Sequence, residues 1–97
     1  MKAIFISYNQ AVIEKVEYML DKLEIRGFTQ WEGIQGRGSK TGDPHYGNHT
    51  WPEINCATLI IVEDEKVDII LEKVKAIDEI NLEVGIRAFV WNIERTV

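Results

Sequence analysis

The sequence predicts an α+β fold: an antiparallel four-stranded sheet with two helices on one face. Three observations carry that prediction. Four short segments rich in strand-forming residues and two longer ones with apolar residues at helical spacing can be read along the chain. These segments run in the order β-α-β, long loop, β-α-β. The 97 residues suffice for one hydrophobic core and not for two, so residues 1–97 read as a single domain. Two βαβ units joined in this way fold into the ferredoxin-like βαββαβ arrangement, and the right-handed crossover rule leaves few alternatives.

Each element follows from local chemistry. Lys2 to Tyr8 is rich in Ile and Phe and reads as the first strand. Asn9 is placed to cap the helix that follows. Val12, Val16, Met19, Leu20 and Leu23 then form an apolar stripe, with Glu14, Lys15, Glu17, Asp21 and Lys22 on the other side. Gly27, free of a Cβ, is expected to end this helix in a left-handed turn. Phe28 to Ile34 reads as the second strand and Ala57 to Val62 as the third, apolar on both faces. Glu63, Asp64 and Glu65 stand where a helix N-terminus favours negative charge. Val67, Ile70, Leu71, Val74 and Ile77 give the second amphipathic helix, Gly85 breaks the chain, and Ile86 to Ile93 reads as the last strand.

The last strand implies more. Ile86, Ala88 and Val90 point to one face; Phe89, Trp91 and Ile93 point to the other. A sheet with helices on one face only is expected to be polar on its second face. Here both are apolar, so the second face is expected to be covered by another subunit. Trp31, in the second strand, is expected to pack. Cys56, beside the apolar third strand, reads as a buried small hydrophobe.

Composition narrows the function. The chain is 45% hydrophobic and 28% charged, the mix of an ordinary globular protein, which excludes disorder and coiled coil. The single cysteine allows no intrachain disulfide and points to a reducing compartment, hence a cytoplasmic location. The apolar run Leu59 to Val62 is far too short to span a bilayer, and the first residues lack a signal-peptide pattern, so no direct membrane insertion is expected. A net charge of −5 argues against nucleic acid as a partner. No Ser-His-Asp, Cys-His or paired-carboxylate spacing suggests an enzyme.

The segment from Gly33 to Asn55 is the unusual part. It holds both prolines, both histidines and five of the seven glycines. Loops of this length in compact domains are usually functional or disordered. Its first part, Gln35-Gly36-Arg37-Gly38-Ser39-Lys40-Thr41-Gly42, combines glycines that let backbone amides converge on an anion with the positive charge of Arg37 and Lys40. This local basic patch in an acidic chain suggests an anionic ligand such as a phosphate. The spacing is not that of a Walker A loop.

At these residues the chain resembles a known family. The run Leu23-Glu24-Ile25-Arg26-Gly27-Phe28-Thr29, followed by Glu32-Gly33-Ile34-Gln35-Gly36-Arg37-Gly38, is similar to the first helix end, second strand and loop base of the PII signalling proteins. Arg87-Ala88-Phe89-Val90-Trp91-Asn92-Ile93-Glu94-Arg95 resembles that family's last strand. The resemblance implies a homotrimer of ferredoxin-like subunits, with an adenine nucleotide in the clefts between subunits. It also implies a long mobile T-loop, here 36–55, that regulates a partner, often a membrane transporter or an enzyme. By this likeness Thr29 would lie near the adenine. Gly36, Arg37, Gly38, Ser39 and Lys40 would approach the phosphates, and Arg87 would replace a phosphate-binding lysine with its planar fork. The chain departs from the family at Asn81-Leu82-Glu83-Val84-Gly85-Ile86, which has one glycine where the family has two flanking an acidic residue.

A second reading on the same architecture is a divalent metal site of the CutA type. His45 and His49 lie four apart, with Asp43, Glu53 and Cys56 near in sequence; His45, His49 and Glu53 are the candidate ligands. In the same loop, Tyr46 and Trp51 are candidate contacts for a partner protein, since aromatic residues anchor interfaces.

Overall fold

Alternation along the strands decides what each face of the sheet meets. The computed structural model describes residues 1–38, 42–81 and 85–97. The elements are β1 (Lys2–Asn9), a 3-10 turn (Gln10–Val12), α1 (Ile13–Lys22), β2 (Thr29–Ile34), β3 (Asn55–Val62), α2 (Asp64–Ile80) and β4 (Ile86–Asn92). The strands form one antiparallel sheet in the order β2-β3-β1-β4. This is the ferredoxin-like βαββαβ fold.

Ile4, Ile6 and Tyr8 of β1 sit in register with Ile60, Thr58 and Cys56 of β3 and with Val90, Ala88 and Ile86 of β4. That face carries the core. Val16, Met19 and Leu20 of α1 and Ile70 and Val74 of α2 close over it. Cys56 is buried, as its setting in the sequence suggests, and burial pushes its thiol pKa up. The polar side chains of Tyr8, Thr58 and Gln30 on this face satisfy one another. Tyr8 Oη and Thr58 Oγ1 are 2.7 Å apart, and Gln30 Nε2 donates to Tyr8 Oη at 3.2 Å. Burial raises the Tyr8 pKa, and the bonds from Thr58 and Gln30 pull it back in part.

The helix starts follow the capping expectation and one helix end does not. Asn9 Oδ1 accepts from the Ala11 amide at 2.9 Å, a cap worth about 1 kcal/mol, but it caps a 3-10 turn that precedes α1. α2 begins at Asp64, within the acidic run, and the Asp64 carboxylate meets the Met1 amino group at 2.7 Å. α1 ends at Lys22, well before Gly27. The left-handed residue is Glu24, with φ of 59°. The Ile25 amide returns to the Leu20 carbonyl at 2.8 Å and the Glu24 amide to the Asp21 carbonyl at 3.0 Å. This is a complete Schellman motif, with buried Ile25 and Leu20 as its apolar pair. The apolar contact fixes where the turn falls, and a non-glycine residue bears the strain.

The opposite sheet face is apolar and open. Phe5 pairs in register with Phe89 and Leu59, and Ala3 with Trp91 and Ile61. Phe89 is 56% and Trp91 48% exposed. Trp31, expected to pack, lies on this outer face, still 44% exposed, with its ring centroid 6.4 Å from that of Phe5, because no further layer covers that face in one chain. Among the described residues no helix is long and apolar enough to cross a membrane.

Candidate ligand and partner site at the loop base

Four strand ends meet at one end of the sheet. Asn9 closes β1 and pairs with Asn55, where β3 begins; Ile34 closes β2 beside the same Asn55; and β4 starts at Ile86 opposite Tyr8. Gly33, with φ of 70°, accompanies the register shift between Trp31 and Ile34. The ends are stitched by two backbone bonds: the Gln10 amide to the Ile54 carbonyl at 3.0 Å, and the Asn9 amide to the Gly85 carbonyl at 3.3 Å. Ile54, before β3, and Gly85, before β4, therefore flank the end of β1.

The loop is not one open span. Gly36 and His45 exchange two backbone hydrogen bonds, at 2.9 and 2.7 Å. The His45 ring is held at both nitrogens: Nδ1 lies 2.6 Å from Asn55 Oδ1, and Nε2 lies 3.0 Å from Glu53 Oε2. Beyond this clasp a second closure forms. The Gly47 amide donates to the Glu53 carbonyl at 2.9 Å, and Asn48 and Trp51 bond through the Asn48 amide at 2.9 Å and the Asn48 side chain at 2.8 Å. Gln35 Nε2 holds the Tyr46 carbonyl at 3.0 Å. Tyr46 and Trp51 are each partly buried in this folded base.

The anion candidates are distributed as follows. Thr29 is exposed on the outer face of β2, opposite Leu59. Gly36 is fixed by the clasp, and Arg37 and Gly38 follow it, both exposed. Ser39 and Lys40 lie outside the described residues, as does the Leu82–Val84 stretch that departs from the family pattern. Arg87 stands near the start of β4; its Nη1 donates to Asp78 Oδ1 at 3.1 Å and to the Ile86 carbonyl at 2.7 Å. β2 and β4 are opposite edges of the sheet, three strand spacings or ~14 Å apart. One chain thus brings Thr29 and Arg37 to one edge and Arg87 to the other.

The metal candidates come together only in part. His45 and Glu53 meet, and His49 does not join them: among the described residues no three His, Cys, Asp or Glu side chains are grouped to hold a metal ion. Asn55 takes the place next to His45 that a third ligand would need. Sequence reasoning passed over Asn55 because an asparagine beside an apolar strand carries no pattern. Only the β3 register puts it under His45.

A ferredoxin-like sheet with an open apolar back and a long loop rooted at one end spreads its candidate residues over both sheet edges rather than into one pocket. The model for nitrogen regulatory protein P-II matches residues 1–97, and the chain belongs to that family. No curated protein matches it by sequence. Among solved structures it is similar to CPII of Thiomonas intermedia K12 bound to ADP and bicarbonate, with a TM-score of 0.77 and 23% identity over 95% of this chain and 84% of that one. A structure of the same protein with ADP, AMP and bicarbonate has a TM-score of 0.75 and 21% identity, covering 99% of this chain and 94% of that one. A PII-like signalling protein of Thermus thermophilus has a TM-score of 0.68 and 21% identity, covering 95% of this chain and 85% of that one.

Proposed function

We propose that this chain is a cytoplasmic regulator that assembles as a homotrimer, binds an adenine nucleotide between subunits, and controls a partner through the 36–55 loop. The observation that carries the reading is the split site. Thr29 and Arg37 lie toward the β2 edge and Arg87 on the β4 edge of the same sheet. A second copy whose β4 edge lies against the β2 edge of the first closes a cleft with positive charge from both sides. Phe89 and Trp91 are already about half buried, so covering the rest contributes roughly 1–1.5 kcal/mol each, which supports the seam. Thr29 then lies beside the base, and Gly36, Arg37, Gly38, Ser39, Lys40 and Arg87 surround the phosphates. The nucleotides named for the CPII structures support this choice of ligand.

The control step is a choice between loop arrangements. Phosphate contacts at 36–40 bear directly on the Gly36–His45 clasp, so ligand binding and loop closure draw on the same backbone atoms. The partner, a membrane transporter in this proposal, reads the loop through Tyr46 and Trp51. Light scattering and calorimetry test the reading together. The expected result is a mass of three chains and ADP or ATP binding that Arg37→Ala or Arg87→Ala weakens at least about tenfold. A single-chain mass, or no nucleotide binding below about 1 mM, overturns it.

A further inference from the structure

We infer that the groove between α1 and α2 is a second docking surface, shaped for an acidic amphipathic helix of a partner protein. The groove encloses about 470 Å³. Met19 of α1, Leu23 just past its end, and Ile77 and Ile80 of α2 supply its apolar lining, with Tyr18 at one wall. Ile80 is 77% and Tyr18 64% exposed, and with Leu23 and Ile77 they leave a contiguous apolar strip open along the groove. Lys73, Ile77 and Ile80 follow one another at helical spacing, as do Lys15, Tyr18 or Met19, and Lys22. Two such stripes side by side present the ridges and hollow that a third helix fills, at an interaxial distance of roughly 8–10 Å.

Charge selects the occupant. The lining holds Lys15, Lys22 and Lys73 against Glu14 alone, in a chain of net charge −5. Lys22 Nζ lies 5.5 Å over the Tyr18 ring, and Lys15 Nζ donates to Asn81 Oδ1 at 3.1 Å. Among the described residues, none of the three lysines lies within 4.0 Å of a carboxylate. Lys15 and Lys22 are two helical turns apart, ~10 Å, so a helix with carboxylates two turns apart on its flank meets both. Another copy of this chain is a poor occupant: groove against groove, it would set Lys15, Lys22 and Lys73 against the same three lysines. The groove lies on the helix layer, away from the sheet back proposed for self-association, so the two surfaces are independent.

The test uses the full chain, isotopically labelled, and two synthetic 18-residue helical peptides with leucines at positions i, i+3, i+4 and i+7. One peptide carries glutamates on both flanks of the leucine stripe; the other carries lysines at the same places. The expected result is resonance shifts at Tyr18, Leu23 and Ile80, with the acidic peptide about tenfold tighter than the basic one at low salt. In the Lys22→Glu, Lys73→Glu double variant, which alters exposed positions only, the order of the two peptides reverses. Equal affinity of the two peptides, no shift from either up to about 1 mM, or shifts confined to Phe89 and Trp91 overturns the inference.

Discussion

A methyl group added at Gly36 separates loop closure from overall stability. A Cβ there would stand well inside contact distance of Asn55 Nδ2. The carboxamide has to retreat by about 1 Å to reach ordinary contact. Its bond to His45 Nδ1 is 2.6 Å long, so the same retreat takes the pair beyond the ~3.2 Å limit of a useful hydrogen bond. The net loss is about 1 kcal/mol, which raises the open population of the clasp about fivefold. Gly36 does not have a left-handed φ, so alanine fits the backbone and stiffens the unfolded chain by about 0.4–1 kcal/mol in compensation. Gly36→Ala is therefore expected to leave the global melting temperature nearly unchanged. Hydrogen exchange at the Gly47 and His45 amides should quicken about fivefold, and Asn55→Ala should reproduce the effect. Unchanged exchange at His45 in both variants would refute the clasp as the element that closes the loop.

Two further outcomes follow from the α1 end and from the chain start. Glu24→Gly removes the left-handed strain of about 1–2 kcal/mol and adds back glycine's unfolded-state entropy, for a net gain of about 0.5–1 kcal/mol and a melting temperature about 3–6 °C higher. Glu24→Ala removes the carboxylate from the helix end but keeps the Cβ, so a thermal melt that ranks alanine equal to glycine rejects the strain argument. At the other site, the bond from the Met1 amine holds the Asp64 carboxyl below its ordinary value of 3.8. A lowered folded pKa gives stability that is present above 3.8 and lost as pH falls through the folded value. Acetylating the amine removes that contribution. Denaturant titrations of the free and acetylated chains should differ at pH 6 and converge toward pH 3; a constant gap would assign the effect to something other than this pair.

The helices were legible because each is amphipathic, and the strands because each is a short β-rich run between turn residues. The alternation at Ile4, Ile6 and Tyr8 and the stripe at Val16, Met19 and Leu20 exist whether or not the chain is folded. The outer face was legible for the same reason: Phe89 and Trp91 fall on the odd positions of a strand whose even positions are already claimed by the core. The helix end was not. Gly27 is the better left-handed residue by intrinsic preference, yet Glu24 takes the turn because Ile25 is buried over Leu20 only from that position. The loop base was legible in part. Glycines, Arg37 and the histidines marked it, but the pairing of His45 with Glu53 and Asn55, and not with His49, depends on contacts across the β3 register.

Amino-acid order alone determined the fold class, the two faces of the sheet, and the family to which the loop base and last strand are similar. Those properties rest on periodicity and short motifs, which are local. Tertiary structure alone decided that Thr29 and Arg87 lie on opposite sheet edges, that the loop is clasped at Gly36 and His45, and that α1 and α2 leave a basic groove between them. Each of these is a distance between segments remote in sequence, and such distances are set only when burial of the core fixes strand order and register.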